Sequence, residues 1–249
     1  MRLYLIALQF LTIIPLPFSV RCEEGDMGRS MALFPLAGLT IGGLLVGLNW
    51  LLEQAFPRSV TDLLLIVALS ALTGGLHLDG LADVCDGLAA RGGRERFLAV
   101  MKDSRTGAVG AVGLVLGLLL KYEALLALPQ VNKAAALLFF PMIARMSQVQ
   151  MATGARRART DGLGAAFVGG VGSFQFVVAW LVTLAASFGL LGLAGLYGCC
   201  ILYLFTWGCK AWFHRRLGGI TGDVIGCVSE LNEIGALLAL LALYRTGIL

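Results

Sequence analysis

Long apolar stretches separated by short polar segments dominate the pattern of the chain. A helix needs about 20 predominantly apolar residues to cross the hydrocarbon core of a bilayer. One run without charged residues, between Asp161 and Lys210, is long enough for two such helices joined near Gly189 to Gly195. Apolar windows of this length predict seven spans in all, near residues 31–53, 61–78, 107–128, 134–152, 173–191, 194–212 and 224–244.

A shorter apolar segment opens the chain, MRLYLIALQFLTIIPLPF. Pro15 and Pro17 interrupt it, and no small-residue cleavage site of the kind that ends a signal peptide is evident. We therefore predict an uncleaved helix that lies in the membrane interface or re-enters the membrane. The expected fold class is all-α, a polytopic transmembrane helix bundle in which residues 1–249 form a single integral membrane domain.

Composition agrees with this fold class and removes several others. Hydrophobic residues make up 58% of the chain and charged residues 14%, whereas soluble domains have roughly 45–50% and about 25%. The net charge of +4 comes from 19 basic and 15 acidic residues, which is too small a surplus for a groove that binds a polyanion. A soluble globular protein, a disordered chain and a nucleic-acid-binding protein are therefore excluded, and we expect membrane lipid around the chain and no nucleic-acid partner.

Basic residues are concentrated in segments that the predicted spans place on one side of the membrane. Residues 1–30, 79–106, 153–172 and 207–222 contain 14 of the 19 lysines and arginines. Loops rich in lysine and arginine stay in the cytoplasm. We therefore expect these four segments, and any polar chemistry that they carry, at the cytoplasmic face.

Three of the eight aspartates fall within one segment, GGLHLDGLADVCDGLAAR, at the cytoplasmic end of the second span. At about 100° per residue of a helix, Asp83 lies roughly 40° and Asp86 roughly −20° from Asp79, so the carboxylates share one stripe. His77 lies on the opposite face, where we expect a structural hydrogen bond. Like charges at this spacing repel, and desolvation at a membrane boundary adds to the cost. A divalent cation removes both penalties, so the stripe predicts a site for Mg²⁺ or Mn²⁺.

Two other interpretations of the stripe stay open at this point. A solvated helix end can carry an acidic cluster by chance, and acidic residues inside a bundle can form a proton or cation pathway. A carrier of this kind usually shows repeated halves with broken helices, and neither is evident in the sequence.

A basic element, RGGRERFLAVMKDSRTGAVG, follows the stripe and leads into the third span. Lys102 and Arg105 flank Asp103, and the glycine-rich start of the span comes directly after them. The amino terminus of a helix next to lysine and arginine is a favourable site for phosphate. Metal-bound carboxylates beside phosphate-binding cations indicate phosphoryl transfer. Positive-inside anchoring is the alternative, and it explains Arg94 and Arg96 well but Asp103 less well.

Two later segments are expected on the same side and are candidates to complete the site, RMSQVQMATGARRARTDGLGAAF and HRRLGGITGDVIGCVSELNE. In the second segment, glycines permit a tight loop, and Asp223 begins the last helix, whose amino terminus it can cap. Glu230 lies two turns after Asp223 on the same face, and Glu233 lies on its flank. The alternative for these glutamates is an interhelical ion pair with Arg145.

The segment GGLHLDGLADVCDGL and the following MKDSRTGAVG strongly resemble the cobalamin synthase family, also called adenosylcobinamide-GDP ribazoletransferase. The similarity extends over nearly the whole chain and includes ALQFLTIIPLP, FPLAGLTIGG, RARTDGLGAAF and GGITGDVIGCVSELNE. Ile13 departs from the family pattern, which often has arginine in this stretch.

The resemblance implies a Mg²⁺-dependent enzyme of the bacterial cytoplasmic membrane, with Mn²⁺ as the alternative metal. It would join adenosylcobinamide-GDP to α-ribazole or its 5′-phosphate and release GMP, the last step of cobalamin nucleotide-loop assembly. Its partners would be these substrates and membrane lipid, with other corrinoid-pathway enzymes and a second copy of the chain as further candidates.

Placed on this sequence, the family's chemistry gives each candidate residue an expected role. Asp79, Asp83 and Asp86 would hold the metal, and Asp103 or Asp223 would take the proton of the attacking hydroxyl group. The residues expected to bind substrate or phosphate are Lys102, Arg105, Arg91, Arg159, Thr221 and Glu230.

A second and shorter resemblance supplies the competing enzyme hypothesis. Residues 83–91, DVCDGLAAR, match the start of the CDP-alcohol phosphotransferase signature, DxxDGxxAR, but the remainder of that signature does not follow in register. The alternative function is therefore a phospholipid-forming phosphotransferase, and a cation-coupled carrier is the alternative outside enzymes.

Overall fold

The computed structural model describes residues 1–15, 20–23, 25–159, 167 and 170–249. Within these ranges the chain is all-α, as the hydrophobic pattern predicted, and its only β-type pairing is a single bridge between Arg157 and Ile220. The helices are α1 (Arg2–Leu11), α2 (Asp26–Ser30), α3 (Phe34–Leu52), α4 (Arg58–Leu72), α5 (Leu76–Ala89), α6 (Arg94–Val100), α7 (Ala108–Ala127), α8 (Gln130–Ala152), α9 (Ser173–Leu217) and α10 (Gly222–Arg245).

Four helical stretches of the described chain are long and apolar enough to cross a membrane. They are Asp26–Leu52, which runs from α2 through a 3₁₀ turn into α3, together with α7, α9 and α10. A fifth span results if the bent pair of α4 and α5 is counted as one. The sequence predicted seven spans, and the additional predicted spans lie in α8 and α9.

Helix α9 contains two of the predicted spans. Gly192 has φ 57° and ψ −137°, which breaks the helix. The Ser187 Oγ and Cys199 Sγ atoms lie 3.1 Å apart, although twelve residues of a straight helix extend about 18 Å. The rings of Trp180 and Tyr203 are also in contact, with centroids 5.3 Å apart. The chain therefore folds back at Gly192, and its two halves, 173–191 and 193–217, lie antiparallel.

Helix α8 is the polar centre of the bundle. Every residue from Phe139 to Ala152 is buried, so protein and not lipid surrounds this part of the helix. Helix α3 packs closely against it, because a Cβ atom on Gly38 or Gly42 would lie 2.6 Å from the backbone oxygen of Pro141 or Leu137. A span enclosed in this way can hold polar side chains that face the bundle interior.

The prediction that residues 61–78 form one continuous span is wrong. Helices α4 and α5 meet at an angle of 90°. Gly74 and Gly75 form the bend with φ of 60° and 68°, the left-handed region that glycine enters without a steric penalty. The segment that carries the aspartate stripe is therefore a separate helix, α5, and not the straight end of a span.

Three segments that the charge distribution placed on one side of the membrane meet at one end of the bundle. Arg94 donates hydrogen bonds to the carbonyl oxygens of Leu217, at 2.6 Å, and Ala158, at 3.0 Å. Ile220 exchanges backbone hydrogen bonds with Arg156 and Ala158. These contacts fix the loop before α10 next to α6 and to the chain that follows α8.

Candidate active site

Glycines allow α5 and α10 to cross at close range. A Cβ atom on Gly80 would lie 2.5 Å from the backbone oxygen of Asp223, and one on Gly226 would lie 3.3 Å from the Cα atom of His77. Any larger residue at position 80 would collide with backbone, which cannot move aside as a flexible side chain can. The crossing brings the loop before α10 to the aspartate stripe, as the sequence analysis predicted.

Four carboxylates gather at this crossing, and we call Asp79, Asp83, Asp86 and Asp223 the carboxylate cluster. Asp83 lies within electrostatic range of the other three, and Asp223 lies within range of Asp79. Arg159 donates a hydrogen bond of 2.7 Å to Asp223. Asp79 and Asp83 form no side-chain hydrogen bond or ion pair within the described part of the chain. The cluster therefore carries a surplus of negative charge.

Asp86 differs from the other three carboxylates of the cluster in its hydrogen-bond partners. Its two oxygen atoms accept hydrogen bonds from the backbone amides of Gly107 and Gly110, each at 2.7 Å. A Cβ atom on Gly110 would lie 2.3 Å from the carboxylate, so glycine is required for this approach. The amino terminus of α7, which the sequence predicted as a phosphate site, is instead occupied by Asp86.

The basic element before α7 lies at the surface. Lys102, Asp103 and Arg105 are all exposed, and Arg105 donates hydrogen bonds to both carboxylate oxygens of Asp103, at 3.0 and 2.8 Å. These hydrogen bonds lower the pKa of Asp103 to about 2. A carboxylate with so low a pKa is a weak base at neutral pH, which favours Asp223 of the two predicted proton acceptors.

The amino terminus of α10 is capped by Thr221 and not by Asp223. The Thr221 hydroxyl oxygen accepts a hydrogen bond of 3.2 Å from the backbone amide of Val224. Asp223 is half-buried and faces Arg159. The structure therefore does not support the alternative in which Asp223 caps its own helix, and the Asp223 carboxylate needs another explanation.

Glu230 and Glu233 belong to a buried ion-pair network. The Lys121 ammonium group lies 2.6 Å from a carboxylate oxygen of Glu230 and 2.5 Å from one of Glu233, and Arg145 lies 2.5 Å from the other oxygen of Glu233. The exposed fractions of all four residues are 4% or less. The structure thus favours the ion-pair alternative, with Lys121 as an additional partner, over substrate binding by Glu230.

A cavity of about 250 Å³ opens beside the carboxylate cluster. Asp79, Asp223 and Arg159 contribute to its wall. Its interior holds His77 and Gln148, whose Nε2 atoms lie 2.9 Å apart, so His77 forms the hydrogen bond that the sequence predicted. The remainder of its wall is mostly apolar, with Phe10, Met31, Phe34, Leu76, Phe167 and Ile225.

Sequence reasoning missed the contributions of Phe10 and Gln148 to this cavity. Phe10 belongs to α1, within the family-like segment ALQFLTIIPLP, and Gln148 to α8, within a segment expected near the site, but no role was predicted for either residue. The one available signal was the polar content of α8, because glutamine in a predicted span normally faces a polar interior. Arg91, a predicted phosphate ligand, is exposed just after the end of α5. Asp161, in a predicted cytoplasmic segment, lies outside the described residues.

The donor chemistry of the carboxylate cluster suits an oxygen-preferring divalent cation. Among the described residues, no ion pair is formed by the carboxylate of Asp79 or Asp83, and Asp223 approaches from a second helix. Within the described ranges, no group of three or more histidine, cysteine, aspartate or glutamate side chains is already arranged as a metal site. The match between the carboxylate cluster and a divalent cation therefore rests on the excess of carboxylate groups over compensating cations. It does not rest on a preformed coordination shell.

Comparison with known proteins supports the family resemblance of the sequence motifs. A family model described as cobalamin-5-phosphate synthase matches residues 3–241. A relative from Geotalea daltonii is 64% identical over 98% of both chains, and it is named adenosylcobinamide-GDP ribazoletransferase. Relatives of the same name from Acetivibrio thermocellus and Clostridium tetani are 36% and 32% identical, over 92% and 96% of this chain and 93% and 96% of theirs.

No solved structure gives a significant match to the chain. The assignment therefore rests on sequence similarity from near the first residue to near the last, together with the helical architecture. Because the family model and the relatives agree over nearly the whole length, the chain belongs to the cobalamin-5-phosphate synthase family.

Proposed function

We propose that this chain joins ribazole to adenosylcobinamide-GDP and releases GMP. The observation that carries the proposal is the position of the carboxylate cluster, where Asp79 and Asp223 border a cavity together with Arg159. The relatives named adenosylcobinamide-GDP ribazoletransferase support it, since the 64% identical protein aligns over 98% of both chains.

The reaction is a substituted-phosphate transfer. The 3′-hydroxyl oxygen of ribazole attacks the phosphorus next to cobinamide, the bond from that phosphorus to the bridging oxygen breaks, and GMP leaves. Asp223 accepts the hydroxyl proton, because it is half-buried at the cavity and has no capping role. Arg159, held by Asp223, is positioned to contact a phosphate oxygen. Holding both substrates in line supplies much of the remaining rate enhancement.

Mg²⁺ is the proposed cofactor, with Mn²⁺ as a substitute. Asp79 and Asp83 would hold it, because neither carboxylate forms an ion pair in the part of the chain that the structure describes. Asp86 would contribute through the lone pairs that its amide contacts leave free. When bound, a divalent cation neutralises the negative charge of the diphosphate and of the departing GMP.

Turnover with purified protein tests the proposed function. We expect GMP to form from adenosylcobinamide-GDP and ribazole when Mg²⁺ is present, and we expect chelation of the metal to stop it. Parallel reactions with a CDP-activated lipid and an alcohol test the phospholipid alternative, and uptake into proteoliposomes without nucleotide tests the carrier. Product from the lipid donor alone, or uptake without any GMP formation, would contradict the proposal.

We propose that the chain lies in the bacterial inner membrane with the carboxylate cluster at the cytoplasmic face. Support comes from the basic residues of the loops that meet beside α6 and α10.

Cysteine labelling in intact cells tests this orientation. In a variant with the exposed Cys22 and Cys200 replaced by serine, a membrane-impermeant maleimide is expected to label Ser59→Cys, while Ser104→Cys reacts only after permeabilisation. Both serines are exposed, so the pair differs mainly in the predicted side of the membrane. The reverse labelling pattern would show that the topology is inverted.

A further inference from the structure

The cavity beside the carboxylate cluster has an aromatic wall built from three separate parts of the chain. Phe10 comes from α1, Phe34 from α3 and Phe167 from the segment between α8 and α9. The ring centroids of Phe10 and Phe167 are 4.4 Å apart, and those of Phe34 and Phe167 are 5.9 Å apart. Aromatic rings in such a group offer both faces and edges to a flat ligand.

The polar part of the cavity includes an unsatisfied group. The exposed fraction of His77 is only 3%, and its Nε2 atom lies 2.9 Å from Gln148 Nε2. Its Nδ1 atom is buried and has no hydrogen-bond partner among the described residues. A buried polar atom left without a partner is unfavourable, and a ligand in the cavity that His77 lines can supply that partner.

The volume of the cavity limits which part of a substrate it can enclose. The cavity volume of about 250 Å³ is below the roughly 300–1,000 Å³ of pockets that enclose a drug-sized ligand. A single flat bicyclic ring fits such a space, whereas the corrin macrocycle does not. Adenosylcobinamide-GDP carries two other bicyclic rings, guanine and the adenine of its adenosyl group. Both purines have polar atoms around most of their edges, and the three phenylalanines would leave those atoms unsatisfied.

We infer that this cavity binds the benzimidazole base of ribazole, an inference that rests on the proposed function. The base is flat, bicyclic and largely apolar, and it packs against Phe10, Phe34 and Phe167. The ring nitrogen or a ribose hydroxyl of the same substrate pairs with His77. The ribose then lies at the end of the cavity where Asp79 and Asp223 contribute to the wall, as attack on a phosphate held there requires.

Steady-state kinetics of a Phe10→Ala variant test this assignment. Phe10 is half-buried, so its truncation removes a wall of the cavity with little loss of core packing. We expect the KM for ribazole to rise about tenfold or more, while the KM for adenosylcobinamide-GDP stays within about twofold. Phe176→Ala is the matched control, since Phe176 is also half-buried but contacts Trp180 away from the cavity, and both KM values are expected to stay unchanged.

Binding to the unchanged protein gives a readout that does not depend on a variant folding. We expect labelled ribazole to bind without the corrinoid substrate, and free 5,6-dimethylbenzimidazole to displace it while guanosine does not. Displacement by guanosine alone, or a KM rise confined to adenosylcobinamide-GDP in Phe10→Ala, would overturn the cavity assignment. In either case, GMP formation by the unchanged protein would leave the proposed function intact, whereas its absence would refute both.

Discussion

Replacing Asp83 with asparagine is expected to reduce turnover by at least about a thousandfold, close to 4 kcal/mol of transition-state stabilisation. Asp83 lies within electrostatic range of Asp79, Asp86 and Asp223, and its carboxylate has no ion pair in the described chain. Asparagine has nearly the same shape but cannot supply the negative charge that holds a divalent cation. The measurement is GMP release at saturating Mg²⁺ with both substrates present.

The matched control is Glu95→Gln, which removes the charge of an exposed carboxylate at the start of α6. Its turnover is expected to equal that of the unchanged protein. Two measurements separate a catalytic loss from a folding failure in both variants. They are the amount of protein inserted in the membrane and the helical content measured by circular dichroism in detergent. Near-normal turnover of folded Asp83→Asn would remove Asp83 from the metal site.

Replacing Asp223 with asparagine or serine is expected to lower kcat by at least about a hundredfold, the contribution typical of a general base. Thr221 already caps α10 through its hydroxyl group, so neither substitution removes the helix cap. Asparagine can still accept a hydrogen bond from Arg159, but it cannot take a proton. The pH dependence of kcat is the decisive readout, because a lost base also removes the fall in rate on the acidic side.

A purely structural role for Asp223 predicts a different outcome. In that case Asp223→Asn would keep the Arg159 contact, and both the rate and its pH profile would resemble those of the unchanged protein. The structure favours the catalytic role, since Asp223 borders the cavity from which the attacking hydroxyl group must come.

Most of the fold could be predicted from the hydrophobic pattern, because lipid requires long apolar helices and the chain has few charges. The break near Gly192 followed from the length of the charge-free run alone. The course of α5 could not be predicted from the same pattern. Gly74 and Gly75 can continue or end a helix, and in the structure α5 turns away at a right angle and packs between α7 and α10.

The site was predicted best where spacing alone fixes geometry. Asp79, Asp83 and Asp86 share a face of any helix, so their proximity did not depend on tertiary structure. The approach of Asp223 followed from two glycine-rich segments expected on one side of the membrane. The hydrogen bonds that the amides at the start of α7 donate to Asp86 could not be predicted, because the same amides were equally suited to bind phosphate.

The aromatic cavity was the part least accessible from sequence. Phe10, Phe34 and Phe167 are far apart along the chain, and each one alone is an ordinary apolar residue of a membrane helix or loop. For Glu230 and Glu233, the sequence offered both a substrate role and an ion pair. The position of Lys121 on α7, opposite both carboxylates, decided between them.

Metal binding measured without turnover tests the central claim most directly, namely that the carboxylates of α5 hold the divalent cation. Electron paramagnetic resonance of Mn²⁺ titrated into purified protein reports bound and free metal separately. We predict saturable binding to the unchanged protein and to Glu95→Gln, and a loss of that binding in Asp79→Asn and Asp83→Asn. Equal Mn²⁺ binding by Asp83→Asn and the unchanged protein would contradict the account.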